Sequence, residues 1–287
     1  MPSVPLRAQA RAWARPLRYR ARLLTAPARV LPDFVILGAQ KAGTTSLYAY
    51  LCAHPEVRAA ARKEVHYFDL NYARGAGWYR SMFPLAVALA SDRRGGRRVV
   101  VGEASPYYLF HPLAAQRASA LVPSAQLIVL LRDPVERAWS HYRHEVKAGR
   151  EPLAFEAALA AEPARLAGAD AALRAGASPE AHPSHRTFSY VARGRYAEQL
   201  RPWLAHYPRE QLLVLRAEDL FERPREVWDE TVTFLGLAPA TPPVFEVHNP
   251  GADQGMAAQA RATLTEAFRQ PNADLAELLG RDLGWSS

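Results

Sequence analysis

Cysteine and lysine are both scarce in this chain of 287 residues, and long apolar runs are absent. The single cysteine, Cys52, excludes an internal disulfide, and nothing in the sequence demands an oxidising compartment. No run of about 18 apolar residues occurs, so no segment is long enough for a membrane-spanning helix. With 49% hydrophobic residues the chain can bury a sizeable core. We therefore expect a cytoplasmic protein made of one domain or of two tightly joined units.

Acidic residues are missing from the first 32 positions, which hold seven arginines. Without these seven, the net charge of +8 falls to +1, so the basic character belongs to a tail and not to the body. The tail lacks the continuous apolar core of a secretory signal. Its arginines at helical spacing leave three interpretations open: a solvated arm, an arm that docks on an anionic membrane surface, and a contact with a partner or an acidic substrate. The expected division is a tail over residues 1–31 and a folded domain over residues 32–287.

The scarcity of lysine draws attention to the segment around Lys41. Only three lysines occur among 36 basic residues, and the other two are Lys63 and Lys147. An apolar segment, 35–37, leads into a glycine-containing turn and then into a helical pattern from Thr44. A helix N-terminus after such a turn binds phosphate through its N–H groups and its positive dipole end. Lys41 would add a compact charge for one phosphate oxygen.

This turn differs from a Walker phosphate loop at one functional position. Gly38, Gly43 and Thr45 fit the pattern G-x-x-x-x-G-K-[ST], but Thr44 stands where that pattern has lysine. Lys41 lies three residues earlier instead. The loop therefore favours a nucleotide whose 5′ group differs from that of ATP.

Short apolar runs alternate with helical patterns along the body. Strands are predicted at 33–37, 98–101, 126–131 and 211–215, and helices at 44–53, 112–121, 134–147, 194–206, 223–235, 257–269 and 272–280. The alternation predicts an α/β protein with a P-loop-like three-layer fold, in which a central parallel sheet carries helices on both faces. Ligands of such sheets bind at the carboxyl ends of strands, where the phosphate loop and Arg132 are both expected. Residues 160–186, rich in Ala, Gly, Pro and His, are predicted to form a mobile loop over the site.

Five segments carry a family resemblance. The segment 40–47, Gln-Lys-Ala-Gly-Thr-Thr-Ser-Leu, resembles the 5′-phosphosulfate loop of sulfotransferases that use PAPS, 3′-phosphoadenosine 5′-phosphosulfate. Four more segments are similar, in the same order, to motifs of the glycosaminoglycan-type branch of that family: 63–69 to K-E-x-H-F-F, 77–84 to G-x-x-W-Y…F-P, 102–108 to E-x-[ST]-P-x-Y, and 130–142 to R-[DN]-P-x-x-R-x-x-S-x-Y. The resemblance extends from about Pro32 to Trp285.

The resemblance implies transfer of a sulfuryl group from PAPS to an acceptor hydroxyl, with no metal. The implied nucleotide site consists of Lys41, Ala42, Gly43, Thr44, Thr45, Ser46, Arg132 and Ser140. Lys41 would stabilise the leaving group electrostatically. The implied acceptor is a small molecule or a glycan, such as a carbohydrate, a glycosylated lipid or a natural product; an amine or a phenol stays open as the acceptor group. Its implied contacts are Lys63, His66, Phe68, Tyr107 and Tyr108.

Glu64 is the expected general base, and His66 is the alternative. If residues 63–68 are extended, the two side chains face the same side, because the period of a strand is two. His66 then orients Glu64, binds the acceptor or accepts the proton itself.

Three departures from the branch and two rival functions remain. The late disulfide of the branch is absent, because Cys52 is the only cysteine. Ala104 stands where the branch often has lysine, and the segment 248–255 lacks the basic residues of the loop that closes over the nucleotide there. The first rival is a P-loop kinase-like enzyme, which would need Mg²⁺ and ATP. The second is a non-catalytic protein that binds an anionic surface. No nucleic-acid partner is expected, because the body has no stripe of alternating aromatic and basic residues.

Overall fold

A five-stranded parallel sheet forms the centre of the computed structural model, which describes residues 19–94, 96–245 and 255–285. The strands are β1 (Phe34–Gly38), β2 (Val57–Ala59), β3 (Val100–Ala104), β4 (Gln126–Leu131) and β5 (Leu212–Arg216), and their spatial order is β2-β3-β1-β4-β5. All neighbouring strands pair in parallel. β1 lies between β3 and β4, and all three strands run in the same direction. The segments that follow them therefore leave the sheet at the same edge.

Twelve α-helices of the described ranges have bounds that can be given, and they surround the sheet. They are α1 (Thr44–Ala53), α2 (Gly75–Arg80), α3 (Ala86–Asp92), α4 (Ala114–Leu121), α5 (Pro134–Lys147), α6 (Phe155–Leu166), α7 (Ala169–Arg174), α8 (Pro183–Thr187), α9 (Tyr196–His206), α10 (Ala217–Glu222), α11 (Pro224–Phe234) and α12 (Ala258–Leu279). One group packs α1 against α11, and another packs α9 against α4 and α12. The predicted α/β fold, with a parallel sheet between helices, is confirmed.

Burial on both faces explains why the central strands are apolar. Every residue of β1 is buried, and so are Leu127 to Leu131 of β4. The ring of Phe34 lies directly on the backbone of β3, because a Cβ atom at Gly102 would stand only 2.0 Å from that ring. The close approach holds β1 and β3 together beneath the loops that follow them.

Four predictions of secondary structure are corrected by the structure. The strand expected at 98–101 occupies Val100–Ala104, and the short edge strand β2 was not predicted. The helices expected at 257–269 and 272–280 are one helix, which continues through Pro271. The mobile loop expected at 160–186 is wrong, since α6, α7 and α8 occupy most of it. Its many alanines, the best helix formers, outweigh the Gly and Pro residues that suggested a loop.

The end of the predicted basic tail lies on the body of the protein. Nε of Arg22 donates to the carbonyl of Ser81 at 2.6 Å, and Nη1 of Arg29 donates to that of Phe83 at 2.7 Å. The predicted helical pattern of Arg7, Arg11, Arg15 and Arg18 lies outside the described residues. None of the helices in the described part of the chain is both long and apolar enough to cross a bilayer.

Candidate active site

The phosphate loop joins β1 to α1 at the carboxyl end of the sheet. Gly43, the N-cap of α1, has φ 94°, a left-handed conformation that favours glycine. The first turn of α1 then directs its N–H groups towards the loop, as an anion site requires. The structure thus places residues 42–46 around a helix N-terminus, where the sequence predicted phosphate binding.

Arg132 follows β4 and reaches this loop. Its Nη1 donates to the carbonyl of Lys41 at 3.2 Å, and its Nη2 lies 3.9 Å from Oε2 of Glu136. Ser140 lies half-buried on α5, the helix that begins just after Arg132. The expectation that Arg132 and the loop meet at one edge of the sheet is confirmed. Burial, followed by the charge of Arg132, lowers the pKa of Lys41.

A chain of four charged side chains lies beside the loop. Nζ of Lys63 contacts Oγ1 of Thr45 at 2.8 Å and Oε1 of Glu64 at 3.0 Å. Oε2 of Glu64 lies 3.2 Å from Nε2 of His66, and Nδ1 of His66 lies 2.8 Å from Oδ2 of Asp69. Lys63 therefore connects the phosphate loop to the carboxylate that was predicted to be the base. Asp69 is part of the site, although no role was predicted for it.

The two ends of the Glu64–His66 contact have opposite pKa shifts. The hydrogen bond from His66 lowers the pKa of Glu64 to about 2, and Lys63 adds to the effect against the opposing effect of burial. Burial would lower the pKa of His66, but hydrogen bonds to Asp69 and Glu64 outweigh it and raise the pKa to about 9. At neutral pH His66 is therefore an imidazolium that donates from both ring nitrogens, and Glu64 is ionised.

This pairing predicts a pH-dependent contribution to stability. The pKa of His66 rises from 6.5 to about 9 on folding, so the stabilisation is complete below pH 6.5 and is lost as the pH rises through 9. The free energy of unfolding lost in Asp69→Asn should therefore be largest near pH 6 and shrink towards pH 10. Urea unfolding of both proteins across this range measures the difference. Asp92→Asn is the matched control, since Asp92 pairs with Arg58 at the surface. A loss in Asp69→Asn that does not change with pH would contradict the assignment.

The backbone at Lys41, Glu64 and His66 is left-handed. Their φ angles are 72°, 57° and 55°, and these are the described non-glycine residues with positive φ. Residues 63–68 are therefore not a regular extended strand, although the side chains of Glu64 and His66 do lie together. Residues in this region of φ carry about 1–3 kcal/mol of strain and occur preferentially at functional sites.

A fully buried carboxylate, Glu103, supports the segment that carries Glu64 and His66. It accepts hydrogen bonds from the hydroxyls of Tyr79, Ser105 and Tyr108 at 2.6, 2.8 and 3.0 Å. The last two hydroxyls in turn accept from the backbone N–H groups of His66 and of the following tyrosine at 3.0 and 2.6 Å. Burial raises the pKa of Glu103 to about 7 against these hydrogen bonds. Glu103 thus fixes the path of the backbone at His66, a role that the sequence did not reveal.

Two of the predicted acceptor contacts are corrected. Phe68 and Tyr108 are completely buried, with 0% exposure, so their side chains cannot reach an acceptor. Phe68 packs in an aromatic cluster with Tyr79, and Tyr108 is held by Glu103. Tyr107 does line the site, where its hydroxyl lies 2.7 Å from Nδ1 of His185.

A small cavity opens beside Glu64 and His66. Its lining residues come from four separate segments and are Gln40, Glu64, His66, Pro106, Tyr107, Arg186 and Arg193. The two arginines were not predicted, because they lie in and after the segment that was taken for a loop. Within the described ranges, no cluster of His, Cys, Asp and Glu has the arrangement of a metal site. The predicted departure at 248–255 falls almost entirely outside those ranges.

Fold and site together define a P-loop-like α/β protein whose phosphate loop faces a carboxylate–histidine pair. Residues 31–248 match the family described as the sulfotransferase domain. The chain therefore belongs to the sulfotransferase domain family and is a sulfotransferase.

Three comparisons place it within that family. A sulfotransferase structure from Alicyclobacillus acidocaldarius is 32% identical, covers 90% of this chain and 100% of its own, and has a TM-score of 0.67. Membrane-associated sulfotransferase kil1 of Dictyostelium discoideum is 28% identical over 90% of this chain and 67% of its own length. Heparan sulfate glucosamine 3-O-sulfotransferase 3A1 of Mus musculus is 32% identical over 76% of this chain.

The heparan sulfate relatives are longer proteins than this chain. The matched region spans 49% of the mouse 3-O-sulfotransferase. It spans 23% of the human bifunctional heparan sulfate N-deacetylase/N-sulfotransferase 3, which is 32% identical over 73% of this chain. The predicted glycosaminoglycan-type branch is confirmed by these relatives.

Proposed function

We propose that the chain transfers the sulfuryl group of PAPS to a hydroxyl of an acceptor by in-line attack, with Glu64 as the general base. The observation that carries the proposal is the position of Lys63. It contacts both Thr45 in the phosphate loop and Glu64, so the loop and the carboxylate lie one side chain apart. A sulfuryl group held by the loop would face an acceptor oxygen that contacts Glu64.

The nucleotide would bind along the edge formed by the loop and α5. N–H groups of residues 42–46 and the hydroxyl of Thr45 would hold the 5′-phosphosulfate. Lys41 would contact the bridging oxygen and stabilise the negative charge that develops on the leaving phosphate. Arg132 would bind the 3′-phosphate through its planar fork, with the Ser140 hydroxyl as a further donor. The proposal requires no metal.

Glu64 suits the role of base better than His66. With its pKa near 9, His66 already carries a proton at neutral pH and has none of the accepting capacity that a base needs. Glu64 is ionised and about two-fifths exposed, so a hydroxyl can reach it. Binding of an anionic nucleotide would draw Lys63 from Glu64 to the phosphosulfate, which would raise the pKa of Glu64 towards the useful range.

For the acceptor and for the cellular location of the protein, we propose broad classes. Relatives named for heparan sulfate support a carbohydrate or a glycosylated small molecule as acceptor. The membrane-associated relative and the seven arginines of the first 32 residues support a peripheral contact with anionic lipid, for a protein that otherwise works in the cytoplasm. We propose residues 1–31 as the basic tail and 32–287 as the sulfotransferase domain.

Binding of PAP, the desulfated product, tests the nucleotide site. Calorimetry in EDTA should show PAP binding and binding of AMP weaker by roughly tenfold or more, because AMP lacks the 3′-phosphate that Arg132 would pair with. Arg132→Gln should narrow this gap, whereas Arg209→Gln, at the far end of the sheet before β5, should leave it unchanged. Equal affinity for the two nucleotides in the unmodified protein would contradict the proposal. Tight binding of ATP that depends on Mg²⁺ would favour the kinase alternative.

A further inference from the structure

Arg193 is a buried cation in the wall of the cavity that contains Glu64. It is 3% exposed and lies at a short helical turn, Ala192–Gly194, between α8 and α9. Its Nε donates to the hydroxyl of Ser189 at 2.8 Å, its Nη2 donates to the carbonyl of Arg186 at 2.7 Å, and its Nη1 donates to Oε1 of Gln40. The guanidinium also lies 4.8 Å from the centre of the Tyr107 ring.

All of these partners are neutral. Within the described ranges, no acidic side chain lies within ion-pair distance of Arg193 or Arg186, whereas the buried Glu145 and Glu151 each pair with an arginine. Arg137, the other buried arginine of these ranges, also lacks a counter-ion, but it does not line the cavity. Removing a guanidinium from water without a counter-ion is costly. Burial accordingly lowers the pKa of Arg193 to about 10, so the guanidinium still carries its charge at neutral pH. Arg186, which is exposed, adds a second positive charge at the mouth of the same cavity.

The nucleotide does not account for these two charges. Its proposed ligands are Lys41, Arg132 and the first turn of α1, and none of them lines the cavity, which Glu64 and His66 do line. Gln40 forms the boundary, since it precedes Lys41 in the loop and accepts from Arg193 on the cavity side. With the nucleotide bound, Lys41, Arg132 and Lys63 would have anionic partners, and the two arginines of the cavity would not.

We propose that Arg193 and Arg186 form an anion subsite for the acceptor, which holds a carboxylate or sulfate group next to the hydroxyl that Glu64 deprotonates. The inference rests on the proposed function and narrows the acceptor to an anionic molecule. Arg193 is pre-positioned by Ser189, Gln40 and the Arg186 carbonyl, so little ordering entropy is lost when the anion binds. The acceptor would supply the counter-ion that the free protein lacks.

Matched ligands test the subsite without knowledge of the natural acceptor. The probes are phenyl β-D-glucoside, phenyl β-D-glucuronide and phenyl β-D-glucoside 6-sulfate, which share one sugar frame and differ in charge. Dissociation constants are measured by NMR titration of the full chain saturated with PAP. We expect at least one anionic probe to bind roughly tenfold more tightly than the neutral one, as one charged hydrogen-bonded contact provides.

Three variants locate the effect. Arg186→Gln changes an exposed position and should not disturb folding. Arg193→Lys keeps the positive charge but not the planar guanidinium group. Each variant should reduce the preference for the anionic probe severalfold. PAP affinity should not change in either variant. Arg195→Gln is the matched control, because Arg195 faces Glu198 at the surface two residues from Arg193. It should retain the preference.

The outcomes separate this inference from the proposed function. If PAP binds but all three probes bind equally, the anion subsite is refuted and the proposed function stands. If the preference survives unchanged in Arg186→Gln and Arg193→Lys, the assignment to these residues is also refuted. A loss of PAP affinity in both variants would assign the arginines to the nucleotide instead. If PAP does not bind to the unmodified protein, the proposed function itself fails.

Discussion

Lys41→Ala should lower kcat by roughly 10²–10³, the usual loss when one donor that stabilises a transition-state charge is removed. The effect should fall on kcat rather than on PAP affinity, because the charge on the leaving phosphate develops only as the sulfuryl group departs. Steady-state kinetics with a surrogate alcohol and calorimetry with PAP separate the two quantities. Lys147→Ala is the control, since Lys147 lies exposed in the last turn of α5.

The arginine variant of the same residue tests why lysine stands there at all. Lys41 is one of three lysines among 36 basic residues, and the backbone of Lys41 already accepts a hydrogen bond from Arg132. A second guanidinium would be larger and planar where a compact ammonium has to reach one oxygen. Lys41→Arg should therefore also be impaired, although less than Lys41→Ala. Full activity of Lys41→Arg would refute this interpretation of the lysine.

Glu64→Gln should lower kcat by roughly 10²–10⁴, the range for loss of a general base. Glutamine keeps the size, and its one amide oxygen can still accept from Lys63 or from His66, but it cannot accept the proton of the acceptor hydroxyl. PAP affinity should stay near normal, because Glu64 reaches the nucleotide only through Lys63. The measurement needs only a surrogate alcohol that gives detectable turnover.

His66→Ala distinguishes the two candidate bases. If His66 only orients Glu64, its loss should cost less activity than Glu64→Gln does. An inactive His66→Ala together with an active Glu64→Gln would transfer the role of base to His66. Loss of PAP binding in both variants would instead mean that the segment 63–69 has a structural role.

The sheet could be predicted well where apolar runs are uninterrupted. The run at 126–131 coincides with β4, and Pro134 marks the start of α5 at the predicted position. The prediction for β3 ended too early, because Gly102 and Glu103 end the apolar run although both are buried in the strand. Their burial depends on the ring of Phe34 and on three hydroxyls from other segments, which no local pattern contains.

The candidate active site also contains some residues that could be predicted from the sequence and others that could not. Lys41, Glu64, His66 and Arg132 stand in short motifs, and the structure brings their segments together at one edge of the sheet. Asp69 was missed because it reaches His66 only through the left-handed backbone at Glu64 and His66, which a strand period cannot represent. Arg193 was missed because its contact with Gln40 joins residues 153 positions apart. Such contacts are set by tertiary packing, and one sequence does not reveal them.

At Lys41 and Glu64, where the backbone is left-handed, the residue that the backbone favours differs from the residue that the proposed reaction needs. Glycine adopts this φ without the steric penalty that a Cβ atom brings. Lys41→Gly would therefore relieve strain and lose only a half-exposed side chain, whereas Glu64→Gly would also lose the contacts with Lys63 and His66. A library of variants screened by heat resistance alone would therefore retain Lys41→Gly, which we expect to be inactive. Any programme to make this protein more durable should hold both positions fixed and search for its improvements elsewhere.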